Sequence, residues 1–162
     1  MSDCLQRWLI GIFLLMASLC ACGLPSDHAR ITRFSERRAE LERIRQMIDE
    51  DNLEGRIHAD YADPKLSPSR LETYRSLSRD TGVMRLWAHG KSKPFELIID
   101  GTGFLAQGDY KGYLYDPAPQ TPLAWTLDGS CFETAKIPDT QRSCSAVRGL
   151  GNGWWLLRYE YR

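Results

Sequence analysis

His58-Ala59-Asp60, with Asp63 three residues further on, sets an imidazole among carboxylates. A hydrolase uses that pairing when an acid orients a histidine base. No motif ties a nucleophile to the group, because the chain has no Gly-x-Ser-x-Gly elbow. A polar loop accounts for the same residues. His28, in a linker or first helix, and His89, before a turn glycine, need no chemical role. Asp49-Glu50-Asp51-Asn52 offers oxygen ligands but lacks the central glycine and closing glutamate of a calcium loop. It reads as a solvated helix end. No HExxH occurs, and Cys and His are too sparse for zinc spacing. Gly149-Leu150-Gly151-Asn152-Gly153 lacks the Walker lysine and does not lead from a strand into a helix, so it reads as a tight turn. The expectation is a chain with no catalytic residue, metal or cofactor. The alternative is a hydrolase of cell wall or envelope lipid built on His58, Asp60 and Asp63.

The cysteines carry a sharper signal. Trp8 to Leu19 is an uncharged apolar run of 12 residues. It is too short to span a bilayer, which takes about 20 residues, and right for the apolar core of a signal peptide. Leu19-Cys20-Ala21-Cys22 follows and resembles the lipobox of bacterial lipoproteins. That resemblance implies removal of residues 1–21, lipid on Cys22 and a membrane tether facing the periplasm. Gly23 after the cysteine points to the outer rather than the inner membrane. An uncleaved signal anchor extending to Leu24 is the competing reading.

Of five cysteines, Cys4 and Cys20 leave with the leader and Cys22 takes lipid. Cys131 and Cys144 remain, an even number in an oxidising compartment, and read as one disulfide. Two free buried thiols are the alternative. The bridge would close a loop of about 14 residues and contribute about 3 kcal/mol through loop-closure entropy.

The formal net charge is +0, and the leader removes one base, Arg7, and one acid, Asp3. The mature chain is therefore neutral, which argues against a nucleic-acid partner. With 43% hydrophobic residues, the 141 residues left after cleavage (162 − 21) suffice for one folded domain.

The elements follow from periodicity. A linker spans 22–27. A charged amphipathic helix occupies 28–54, with Ile31, Phe34, Leu41, Ile44 and Ile48 at helical spacing. Arg37–Glu40, Glu42–Arg45 and Arg45–Asp49 are among its ion pairs, and Gly55 suits its termination. It is either a stalk or a helix packed on the domain, packing being the ordinary outcome. The α+β domain covers 55–162. Residues 56–66 read as a loop. Ser67-Pro68 opens a second helix that Gly82 stops. Strands follow: Val83–Ala88, Phe95–Ile99, a hairpin at Asp100-Gly101, the Tyr113/Tyr115 strand and a short one at 124–127. A hairpin of Cys131–Ile137 with Ser143–Leu150 comes next, then Trp154–Tyr161 after a glycine turn. The expected fold is α+β, with two N-terminal helices before an antiparallel sheet of about five to seven strands.

Gly108-Asp109-Tyr110-Lys111-Gly112-Tyr113-Leu114-Tyr115 and the ending Gly153-Trp154-Trp155-Leu156-Leu157-Arg158-Tyr159-Glu160-Tyr161 are similar to small Gram-negative lipoproteins. In that group a Lys-Gly-Tyr strand precedes a proline-rich loop and a Trp/Tyr-rich final strand. The likeness implies no activity. The aromatics suggest binding: Trp154, Trp155, Tyr113 and Tyr115 are the candidate contacts for an envelope protein or glycan. The period of two puts Trp154 and Trp155 on opposite faces. A loop stapled by Cys131 and Cys144 would also suit an immunity or inhibitor protein.

Overall fold

A computed structural model describes residues 26–104, 107–117 and 143–161. The leader expected at 1–21, Cys22, Cys131 and the strands expected at 124–127 and 131–137 lie outside the described residues. Helices α1 (Asp27–Glu36) and α2 (Arg38–Asp51) come first, then strand β1 (Glu54–His58), helix α3 (Pro68–Thr81) and strands β2 (Arg85–His89), β3 (Phe95–Phe104), β4 (Gln107–Tyr115), β5 (Ser143–Gly151) and β6 (Trp154–Tyr161). The strands form one antiparallel sheet in the order β1-β2-β3-β4-β6-β5. This is the α+β architecture expected.

The segment expected as one helix over 28–54 is two. Ser26 caps α1 by accepting from the Ala29 amide at 3.2 Å. Ser35 donates back to the Ile31 carbonyl, a contact that bends helices, and Arg37 then leaves helical geometry with φ −109° and ψ 19°. The second helix stops at Asn52, which adopts the left-handed conformation at φ 46°, so Gly55 is not the terminator. Gly55 instead lies inside β1, whose last three residues, Arg56 to His58, fall in the stretch expected as a loop.

Both helices pack on the sheet, with no stalk. Phe34, Leu41, Ile44, Met47 and Ile48 share one core with Leu86, Ala88, Phe95, Leu97, Ile99, Tyr113, Trp154 and Leu156. Residues 28–54 and the sheet are therefore one domain. The α3 boundaries are as expected: Ser67 accepts from the Arg70 amide, and Gly82 takes φ 71°.

Asp100-Gly101 is not a turn. Both residues lie within β3, paired with Lys111 and Tyr110. Ile99 is an extra residue between the Ile98–Gly112 and Asp100–Lys111 pairs, a bulge that re-aims the strand. The β5–β6 turn is the expected one: Asn152 and Gly153 both have positive φ (53° and 80°), as a tight two-residue hairpin requires.

Two features bracket the sheet. At one end α1 enters through buried charges. The Asp27 carboxylate accepts from Lys111 Nζ at 2.7 Å. Arg30 donates twice to Asp100, from Nε at 3.1 Å and Nη2 at 2.7 Å. At the β1 edge the chain folds back, and Ala62 bridges Ile57. The His58 amide donates to the Tyr61 carbonyl, and the Asp63 amide to the Arg56 carbonyl. The Asp63 carboxylate takes the Arg56 amide.

Candidate functional site

Period-two alternation gives each strand an inner and an outer set of side chains. The three helices take the inner set. Ile98, Val147 and Leu157 are also buried (8%, 9% and 5% exposed), yet they stand outside the helix-packed core. They belong to the second face of the sheet, where the strand register assembles a row. Arg56 pairs with Trp87, Trp87 with Glu96, Glu96 with Leu114, Leu114 with Trp155 and Trp155 with Gly149. The next row is His58, Arg85, Ile98, Gly112, Leu157 and Val147. Beyond it, Tyr110 stacks on Tyr159 at 4.8 Å and 15°.

The site is aromatic, with a few polar handles. Trp87, Leu114, Trp155, Tyr110 and Tyr159 are all half-buried. The Arg56 guanidinium lies 4.4 Å over the Trp87 ring, a cation–π contact, and His89 sits 5.2 Å from the same ring. The Trp155 ring lies against Gly149, 3.5 Å from where a Cβ would stand, an ordinary contact distance. The Trp155 indole is held by a bond to the Asp116 carbonyl at 2.8 Å. Between the two tryptophans stands Glu96, whose Oε2 is buried without a hydrogen-bond partner. Burial pushes this carboxyl above the ordinary carboxylate range, against the opposing pull of the Tyr110 hydroxyl bonded to it. Burial likewise raises the Tyr110 hydroxyl, with the Glu96 charge adding to the effect.

Of the four aromatics expected to meet a partner, only Trp155 lies on this face. Trp154 and Tyr113 are each 1% exposed, so neither can present a surface. Trp154 packs edge-on against Phe34, Phe95 and Tyr115, and its indole donates to Glu42 at 2.8 Å. Tyr113 donates to the Arg30 carbonyl at 2.8 Å. Tyr115 is half-buried on the helix side, stacked on Phe95 and covered by Arg45. Alternation separates Trp154 from Trp155, but the inner face is decided by α1 and α2, which two adjacent tryptophans do not reveal. The Glu96 row was missed because it depends on register across six strands, and the Ile99 bulge shifts that register.

The histidine–carboxylate group has a local task. Asp63 is spent on the Arg56 amide and the Tyr61 hydroxyl. Asp60 is exposed, and His58 ends β1. Among the described residues no three His, Cys, Asp or Glu side chains come together as a metal would need. Cys144 is disulfide-bonded and 2% exposed. No helix among the described residues is long and apolar enough to cross a membrane. No family model, curated protein or solved structure matches the chain.

Proposed function

We propose that this protein is a lipid-anchored envelope lipoprotein with a binding rather than a catalytic role, which holds an envelope protein or glycan against the face of its sheet opposite α1, α2 and α3. The observation that supports the binding role is the row of Trp87, Leu114 and Trp155, half-buried on a face that α1, α2 and α3 leave uncovered. Large aromatics with a polar end give much contact area for little ordering cost. The lipobox-like Leu19-Cys20-Ala21-Cys22 supports the location.

Two variants separate binding from folding. Trp155→Ala is expected to release a partner retained from native envelope while keeping a cooperative unfolding transition. Trp154→Ala is expected to damage the fold itself. Intact mass of the mature chain is expected to show loss of residues 1–21 and added acyl mass at Cys22. Retention of Met1 overturns the location, and equal partner retention by wild type and Trp155→Ala overturns the binding face.

A further inference from the structure

Arg30, Arg45, Arg70 and Arg158 each sit against a carboxylate. Arg56 and Arg85 differ. Among the described residues no carboxylate lies within ion-pair distance of either guanidinium. Both side chains are exposed, and both stand on the second face of the sheet. The register sets Arg56 opposite Trp87 and His58 opposite Arg85. Opposed Cβ atoms across such a pair are about 5 Å apart, and same-face neighbours along one strand about 7 Å. Two guanidiniums, an imidazole and an indole therefore share one patch.

Local contacts hold the patch ready for a ligand. The Arg56 guanidinium lies 4.4 Å over the Trp87 ring. Stacking uses the flat side of a guanidinium and leaves its N–H edge free to donate. Asp63, across the fold-back from Arg56, does not take that edge. Its carboxylate accepts from the Arg56 amide at 3.1 Å and from the Tyr61 hydroxyl. Glu96 follows Trp87 along the row, and burial favours its neutral form, so it opposes an incoming anion weakly. Glu54, exposed on the same face of β1, is paired across the strands with His89.

Charge and shape limit what docks here. A guanidinium fork bonds the paired oxygens of a carboxylate or phosphate. A peptide taken at a sheet edge adds a strand, but Tyr61 and Asp63 already occupy the His58 and Arg56 backbone groups. Leading away from the patch, Trp87, Leu114 and Trp155 extend over three strand spacings, about 14 Å. Such a row suits a sugar chain, whose ring C–H faces lie on the indoles while its hydroxyls stay in water.

We infer that Arg56 and Arg85, with His58 and Trp87, form the anion site for an acidic glycan, whose carboxylate or phosphate docks at the β1–β2 edge while the chain follows the aromatic row toward Trp155. The inference rests on the binding face proposed above and names its ligand.

The test is calorimetric titration of the full chain, expressed in a Gram-negative host and purified in detergent, at low salt. The probes are tri-galacturonate, glucose 6-phosphate, neutral maltotriose and a hexaglutamate peptide. At least one acidic sugar is expected to bind, and which one does identifies the anion. Arg56→Gln and Arg85→Gln are each expected to weaken it about tenfold, the loss of one charge-assisted bond. Arg56→Lys, which keeps the charge without the fork, is expected to fall between. Arg79→Gln, on α3 in an exposed pair with Glu72, is expected to bind as wild type does. Circular dichroism checks that each variant is folded. Maltotriose or hexaglutamate binding as tightly as the acidic sugars overturns the inference, and so does equal weakening by all three Gln variants. If no probe binds while Trp155→Ala still releases a native partner, the acidic glycan falls and the binding face stands. If Trp155→Ala releases nothing either, both fall.

Discussion

At the scale of single residues, the protein places ionisable groups where their environment decides their cost. Glu96 ionises near 4.5 when unperturbed, and burial raises it in the folded chain. Between those two values the folded state holds a proton that the unfolded state has lost. Stability therefore falls as pH rises through that window, and the deficit persists at neutral pH. Glu96→Gln is expected to raise the neutral-pH thermal midpoint and flatten its acid-side slope, measured by circular dichroism across pH. Glu42 behaves oppositely. Burial works against its ionisation, but bonds from Arg45 and the Trp154 indole hold its carboxyl below the usual range. Its contribution is present above the unfolded value and lost as pH falls through the folded one. Asp27 stands differently again, since its pair with Lys111 is out of water. Asp27→Ala is expected to cost about 3–5 kcal/mol in denaturant unfolding, because it strips a partner from a buried ammonium.

At the scale of elements, backbone geometry and packing set separate demands. Gly82 ends α3 with φ 71°, so Gly82→Ala is expected to cost about 1–2 kcal/mol of unfolding free energy. Trp154→Ala opens a hole between α1 and the sheet and is expected to cost about 3–5 kcal/mol. Gly112 is tighter still: a Cβ there would stand 2.2 Å from the Leu97 carbonyl oxygen, so β3 and β4 could not keep their spacing. The ease of reading each element follows its range of interaction. Helix α3 was legible because a serine cap, a proline in the first turn and a stop glycine are all local. The break at Arg37 was not, since no Gly or Pro marks it, and the Ser35 hydroxyl bonded to the Ile31 carbonyl is a common helical contact. Strand β1 escaped notice because its partner β2 lies beyond a whole intervening helix. Asp100-Gly101 misled in the other direction: a dipeptide suited to tight turns also tolerates the strand that follows a bulge. The candidate face was half legible, since alternation divided the aromatics correctly and only the packing of α1 and α2 said which half stays outside.

At the scale of the whole molecule, one core holds three helices to one sheet, and covalent closure adds to it. Cys144 is bridged, and the loop of about 14 residues expected with Cys131 predicts a loss of about 3 kcal/mol on reduction. Unfolding with and without reductant checks the energy, and peptide mapping checks the partner. The fold-back of Tyr61 to Asp63 over β1 has an effect on company rather than on stability. It occupies the Arg56 and His58 backbone groups that a newcomer would need, leaving that margin of the sheet sealed. A ribbon that can be lengthened on one side at most cannot polymerise. Strand-to-strand joining of such molecules ends at a closed pair.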